Sequence, residues 1–159
     1  MSKAPSPPAI PAPLDVDIAI LTSRIGYGLR LAARAMARDF ALGLASDDVR
    51  PAEFAVMEVL MGNPGLRQGQ ASDSLGIKSA NFVPLLDRLQ ERGLVERRPI
   101  AGDRRARGLF LTDAGAAMVA RLQAVAEAHE ARFAGRIGPD GKAVLMGLLA
   151  RLADPGFDL

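Results

Sequence analysis

The sequence predicts a mainly α chain carrying one small β-hairpin, and three observations predict it. Apolar residues recur at spacings of three and four along most of the chain, the period of an amphipathic helix rather than of a strand. Two of these periodic segments are joined by the tight turn Gly76-Ile77-Lys78-Ser79. Directly after them, the stretch GLVERRPIAGDRRARGLFLT, residues 93–112, sets two short apolar runs on either side of a Pro-x-x-Gly turn. Leu94-Val95 and Leu109-Phe110-Leu111 are too short for helices and are bounded by Gly93, Pro99 and Gly102, so they read as hairpin strands. Helix, tight turn, helix and basic hairpin together spell a winged helix-turn-helix.

The elements follow in order. Residues 1–13, MSKAPSPPAIPAP, are too rich in proline for a helix or a central strand and read as a flexible or polyproline-like tail. Residues 14–159 form a single domain. From Leu14 to about Leu44 apolar residues at 18, 21, 25, 29, 32, 36 and 40 define one stripe of a long helix, with Tyr27, Arg30, Arg34 and Arg38 opposite. A second helix starts at Pro51, well placed as a first residue, and ends at Gly62-Asn63-Pro64-Gly65. A short third helix covers about Gln68 to Leu75 and is closed by Gly76. The fourth runs from Ser79 to Arg92, with Phe82, Leu85, Leu86 and Leu89 inward and Gly93 as its cap.

After the hairpin, Thr112 is an N-cap for a helix to about Arg136 whose stripe is Met118, Leu122, Val125, His129 and Phe133. Gly138-Pro139 leads into a last helix with Val144, Leu145, Leu148, Leu149 and Leu152. The terminal segments, 14–48 and 112–159, flank a winged module at 49–111 without an evident core of their own. They are therefore expected to be N- and C-terminal dimerisation helices that find that core in a second subunit, making a homodimer.

Composition excludes several function classes. At 159 residues and 49% apolar, the chain is long and apolar enough to bury a core. It has no apolar run of membrane-spanning length and no basic segment followed by an apolar one at its start, so a cytoplasmic protein with no membrane association is expected. With no cysteine, disulfides and thiolate metal sites are out, and a single histidine leaves little for a transition metal. GNPGLRQGQ lacks the Lys-Ser/Thr of a phosphate-cradling loop, and no nucleophile or acid/base set is evident, so neither an enzyme nor a cofactor is expected. Charge is informative by its position. Residues 88–107 hold seven arginines against Glu91, Glu96 and Asp103, a local +4 in a chain of net +2. Such concentration suits a polyanion.

The segment from Gln70 to Gly115 resembles the MarR family of bacterial transcription regulators. The carrying residues are Asp103 and Arg105 in the wing, Leu111-Thr112 after it, and the run from Leu89 to Arg97, LQERGLVER, before it. With the helix order on both sides, the resemblance covers about residues 14–152. It implies a homodimer with one winged helix-turn-helix per subunit on a pseudo-palindromic double-stranded DNA operator. In that frame Asn81 reads adenine, while Lys78 and Ser79 meet phosphate. Arg104, Arg105 and Arg107 on the wing suit the narrow minor groove, and Asp103 positions the Arg105 guanidinium. Pro84 and Arg88 share the exposed face of the helix, and Val83 is either a thymine-methyl contact or core.

Two residues depart from the family. Members commonly carry small hydroxyl residues and an arginine where this chain has Val83 and Pro84. Five residues after the apparent N-cap Ser79, Pro84 removes the bond to the Ala80 carbonyl, a loss of about 3 kcal/mol in a regular helix. A helix that begins near Asn81, or is distorted in its first turn, is expected.

Many members are repressors relieved by a small molecule. Tyr27, Arg30 and Arg34 either suit a phenolic or carboxylate ligand or form a solvated arginine face, Phe54 and Met57 are either an apolar wall or core, and His129 is either a hydrogen-bonded seam residue or a pH-sensing or ligand contact. GYGLRLAARA and KSANFVPLLDRLQERGLVERR are similar to members that control degradation of plant-derived aromatic acids, which points to a small aromatic acid or its coenzyme A thioester as effector. The competing reading is a winged-helix module whose arginines meet an acidic protein partner, with no small-molecule effector.

Overall fold

The computed structural model describes residues 18–100 and 103–154, and of residues 103–106 the backbone alone. The proline-rich tail and the side chains of Asp103, Arg104 and Arg105 therefore lie outside the described residues. Among the described residues, those up to Arg38 form one compact unit and those from Asp39 onward a second.

In the first unit the single long helix expected from Leu14 is interrupted. A four-residue helix, α1 (Ala19–Thr22), ends before α2 (Ile25–Leu44) begins. The cause is local. Thr22 Oγ1 donates to the Ala19 carbonyl at 2.9 Å and Ser23 Oγ to the Ile20 carbonyl at 2.8 Å, so hydroxyls occupy acceptors near the break. Ile20, Leu21 and Ile25 remain largely exposed.

The second unit is built around α3 (Pro51–Gly62). Pro51 opens it, and the Arg50 N–H donates to the Glu53 carboxylate at 2.8 Å, which satisfies one orphan group of the first turn. Phe54, Val56, Met57 and Leu60 are all buried, so α3 is enclosed on several sides. Against it lie α4 (Gln68–Ser74) and α5 (Ser79–Glu91), whose buried residues Phe82, Leu86 and Leu89 repeat at helical spacing. Leu85, expected inward, is only half-buried.

The hairpin is longer than its apolar runs. β1 (Val95–Ile100) pairs antiparallel with β2 (Asp103–Leu111) from Val95↔Leu111 out to Pro99↔Arg107. Main-chain bonds carry the ladder beyond the two apolar runs, through Glu96, Arg97 and Arg98, where hydrophobic periodicity gives no signal. A short bridge adds to it: the Gly65 N–H donates to the Leu109 carbonyl and the Leu109 N–H to the Leu66 carbonyl, both at 2.8 Å. Val95 and Leu109 face the core, which α6 (Asp113–Ile137) closes with Val119 and Leu122. Thr112 caps α6 as expected, accepting from the Gly115 N–H at 3.0 Å and donating to the Gly93 carbonyl at 2.6 Å. The last helix, α7 (Gly141–Leu152), has no buried residue. No described helix is long and apolar enough to cross a membrane.

Gly115 is where α6 meets the start of the wing. A Cβ there would fall inside the van der Waals envelope of the Leu94 carbonyl oxygen, which already accepts the Thr112 N–H at 3.1 Å. Gly115→Ala is expected to destabilise the fold by about 2 kcal/mol or more through overpacking, read as a lower urea midpoint at unchanged slope.

Candidate nucleic-acid interface

The turn between α4 and α5 is closed by the backbone. Gly76 takes φ +62°, a left-handed conformation that only glycine adopts without cost, and the Ile77 N–H returns to the Ser72 carbonyl at 2.9 Å. Lys78, not Ser79, is the N-cap residue of α5. Its carbonyl accepts from the N–H groups of both Asn81 (2.8 Å) and Phe82 (3.0 Å).

The helix does not wait until Asn81. It starts at Ser79 and runs through Pro84 to Glu91. The buried side chains of Phe82, Leu86 and Leu89 hold the segment helical on both sides of the proline, and Pro84 faces solvent, where water can serve the freed carbonyl. Ser79, Ala80, Asn81, Val83, Pro84, Asp87 and Glu91 form the exposed surface of α5. Val83 is 37% exposed and is therefore not a core residue. Asn81 and Pro84 border a groove of about 240 Å³ that Arg50, Ala52, Glu53, Leu85 and Arg88 complete.

Arg88 has a different duty. Its guanidinium donates to the Asp48 carboxylate at 2.8 Å and lies 3.4 Å from the Glu53 carboxylate, which is almost wholly buried. Arg92, one turn on, donates to the main-chain carbonyls of Asp48 (2.6 Å) and Asp47 (3.0 Å). From α6, Arg121 Nε reaches the Asp47 carboxylate at 2.9 Å. Asp48 itself sits at φ +52°. The hydrogen bond from Arg88 holds the Asp48 carboxyl below its ordinary value and raises the Arg88 guanidinium in turn.

The wing is tied to the same helices. Arg97 donates to the Gln68 side chain of α4 at 3.0 Å and lies 3.7 Å from Asp87 of α5. Arg98 pairs with Glu96 and lies over the Phe110 ring at 5.2 Å. Arg107 is exposed opposite Pro99.

The residues considered for an effector separate into groups. In the first unit the Arg30 guanidinium covers the Tyr27 ring at 4.8 Å, with Arg34 exposed one turn further. In the second, Phe54 and Met57 are buried in the core, the alternative to a ligand wall. His129 Nδ1 lies 2.8 Å from the Asp39 carboxylate, and its ring stacks on Phe40 at 4.9 Å and tilts against Phe133 at 5.0 Å. Arg132 donates to the same Asp39 oxygen at 2.6 Å. Phe40 in turn meets the Phe54 ring edge-on at 5.6 Å.

A family model described as the MarR family matches residues 47–106. Among solved structures, the transcriptional repressor CouR bound to a 23-mer DNA duplex is 37% identical, with a TM-score of 0.81 over 89% of this chain and 100% of that one. The chain belongs to the MarR family. CouR bound to p-coumaroyl-CoA is 34% identical, with a TM-score of 0.80 over 89% of this chain and 99% of that one. The transcriptional regulatory protein assigned to the hcr operon of Thauera aromatica is 28% identical over 133 residues, 83% of this chain and 80% of that protein.

In this MarR-family chain, sequence reasoning missed the acidic partners. Asp39 and His129 are 90 residues apart and Asp48 and Arg88 are 40 apart, and no local spacing links either pair. Asp39 yields a prediction. Arg132 first and His129 second hold its carboxyl below the ordinary 3.8. A depressed folded-state value contributes stability that is present above the unfolded value and lost as pH falls through the folded one. Asp39→Asn is therefore expected to lower the urea midpoint near neutrality and to flatten its decline below about pH 4, measured as midpoint against pH.

Proposed function

We propose that this chain is a dimeric, sequence-specific DNA-binding transcriptional regulator of the cytoplasm, a repressor released from its operator by a small aromatic acid or its coenzyme A thioester. The observation that carries the DNA reading is the exposed face of α5, with Asn81 at its N-terminal end, presented beside a basic hairpin on a helix-turn-helix frame. A second helix of this kind enters the major groove with its N-terminal residues toward the base edges. Asn81 presents the amide that pairs bidentately with adenine. Lys78 and Ser79 at the helix start meet phosphate, and Arg104, Arg105 and Arg107 follow the minor groove, with Asp103 orienting Arg105. Arg88 is withdrawn from the reading set because Asp48 and Glu53 hold it.

Likeness to CouR on a DNA duplex supports this reading, and likeness to CouR with p-coumaroyl-CoA supports the effector class. Dimerisation is supported by apolar surface left open on the terminal helices, Ile20 at 75% and Val144 at 61% exposure among them. The Tyr27–Arg30 pair and Arg34 supply an aromatic face and two cations within two helical turns, chemistry suited to a phenolic acid or to the phosphates of a thioester.

Equilibrium binding to duplex DNA upstream of the chain's own gene tests the first part. Affinity is expected to fall steeply with salt in proportion to the phosphates neutralised. Arg105→Ala weakens all duplexes alike, whereas Asn81→Ala relaxes preference at one base pair, by about 1–3 kcal/mol. Salt-insensitive binding to duplex, with tight binding to acidic proteins instead, overturns the DNA reading.

The effector is tested by thermal shift with hydroxycinnamates, benzoates and their coenzyme A esters. Stabilisation of about 2.7 kcal/mol is expected at a hundredfold excess over the dissociation constant, reduced in Arg34→Ala. If none stabilises the protein or releases DNA, the aromatic effector is wrong.

A further inference from the structure

We infer that α5 recognises the C5 methyl groups of thymines through Val83 and Pro84, beside the adenine contact of Asn81. This rests on the DNA-binding reading above and extends it to what the helix selects.

The exposed N-terminal half of α5 is unusual in what it lacks. The strongest major-groove contact, a bidentate guanidinium on guanine, needs a free arginine or lysine on the reading face. Both arginines of the segment are engaged elsewhere, Arg88 with Asp48 and Glu53, Arg92 with the carbonyls of Asp47 and Asp48. Lys78 stands at the cap, ahead of the first turn. Asp87, which would accept from cytosine, lies 3.7 Å from the Arg97 guanidinium.

What remains exposed in that half is the Ser79 hydroxyl at the helix start, one amide and an apolar strip. Ala80, Val83 and Pro84 fall at i, i+3 and i+4, so they share one side of the helix, and all three are exposed. Val83 shows 37% of its surface although the core lies within one turn, at Phe82 and Leu86. Pro84 has no N–H to give to the helix, and a proline this deep is disfavoured unless its ring is used. Val83, β-branched, and Pro84 are poor choices for a merely solvated helix face. Together they present a low, rigid hydrocarbon surface with few rotamers to freeze on binding.

Among the groups displayed by base pairs in the major groove, the thymine methyl is the apolar one. A strip of valine and proline is complementary to it and to no hydrogen-bonding edge. Val83 and Pro84 point about 100° apart around the helix. They therefore address neighbouring base pairs rather than the same one.

Thymine-to-deoxyuridine replacement removes the methyl and leaves base pairing intact, so it isolates this contact. An operator is first selected from a random duplex pool by the full-length protein. Each thymine of a half-site is then replaced singly, and affinity is measured for the wild type, Val83→Ala and Pro84→Ala. The expected result is a loss of about fourfold at one or two thymines in the wild type, the worth of one buried methyl. That loss should shrink toward none in the variant that lacks the matching side chain, a coupling that identifies the pair. Circular dichroism and melting of the variants check the fold, and Pro84→Ala restores a helix N–H.

If every deoxyuridine operator binds as tightly as its parent, methyl recognition is overturned while the DNA reading stands. It is also overturned if the penalty persists undiminished in both variants and in the double variant. If selection enriches no sequence at any salt concentration, the DNA reading falls and this inference with it.

Discussion

The burial of one side of α5 is the constraint on which the remaining geometry depends. Phe82, Leu86 and Leu89 enter the same buried cluster as Phe54, Met57 and Leu60 of α3, and each buried methylene contributes about 0.8 kcal/mol. Three large side chains at i, i+4 and i+7 fix both the tilt of the helix and its rotation about its own axis. Rotation decides function here, since a turn of one residue would exchange Asn81 for Phe82 on the outer face. The wing follows from the same anchoring. The Leu94 N–H closes back on the Leu89 carbonyl at 2.9 Å, and Leu94 and Val95 are themselves buried. The hairpin thus leaves the core in a direction that α5 has already set.

A polar corner completes what the apolar face begins. The segment Ala45–Asp48 receives arginines from two helices: Arg88 of α5 with Arg92 at its C-cap, and Arg121 of α6. Exposed ion pairs contribute little individually, and Asp48 is 82% exposed. Their weight here is directional. Arg92 donates to main-chain carbonyls that no helix satisfies, and Arg88 is shared between Asp48 and the buried Glu53 carboxylate, which also caps α3. Glu53 therefore joins the start of α3 to the second half of α5. Its burial is tolerated because an N–H and a guanidinium both meet it.

Periodicity made the inner faces legible. Phe82, Leu86, Leu89 and Leu122 are apolar at helical spacing and are buried, although Val119 rather than the expected Met118 enters the core beside Leu122, and Thr112 announces its cap by residue type alone. Competition between neighbours was less legible. Thr22 and Ser23 break a stripe whose apolar spacing continues unbroken, because hydroxyls act on the backbone and leave hydrophobic periodicity unchanged. Pro84 misled in the opposite sense: a local helix cost was outweighed by the burial of residues on both sides of it. Phe54 and Met57 look alike as pocket wall or as core, and only the surrounding helices decide between these. The partners of Arg88 and His129 belong to sequence separations where no pattern within one element carries information.

The corner at Asp47 and the cluster at Asp39 meet α6 at two points, Arg121 and Arg132. Eleven residues of helix separate them, about 16 Å along the axis. Asp47 is bound to α6 through its carboxylate and to Arg92 at the C-cap of α5 through its carbonyl, so a single residue links the long helix to the end of α5. At the other point Asp39 takes Arg132 and His129 together, with Phe40 stacked on the histidine and edge-on to Phe54 of α3. A displacement of α6 that preserves one point while breaking the other would tilt α3 and α5 relative to it. The fold therefore holds α5 in register with α6 through packing on one side and directed charge on the other, and either alone would leave its rotation or its tilt undetermined.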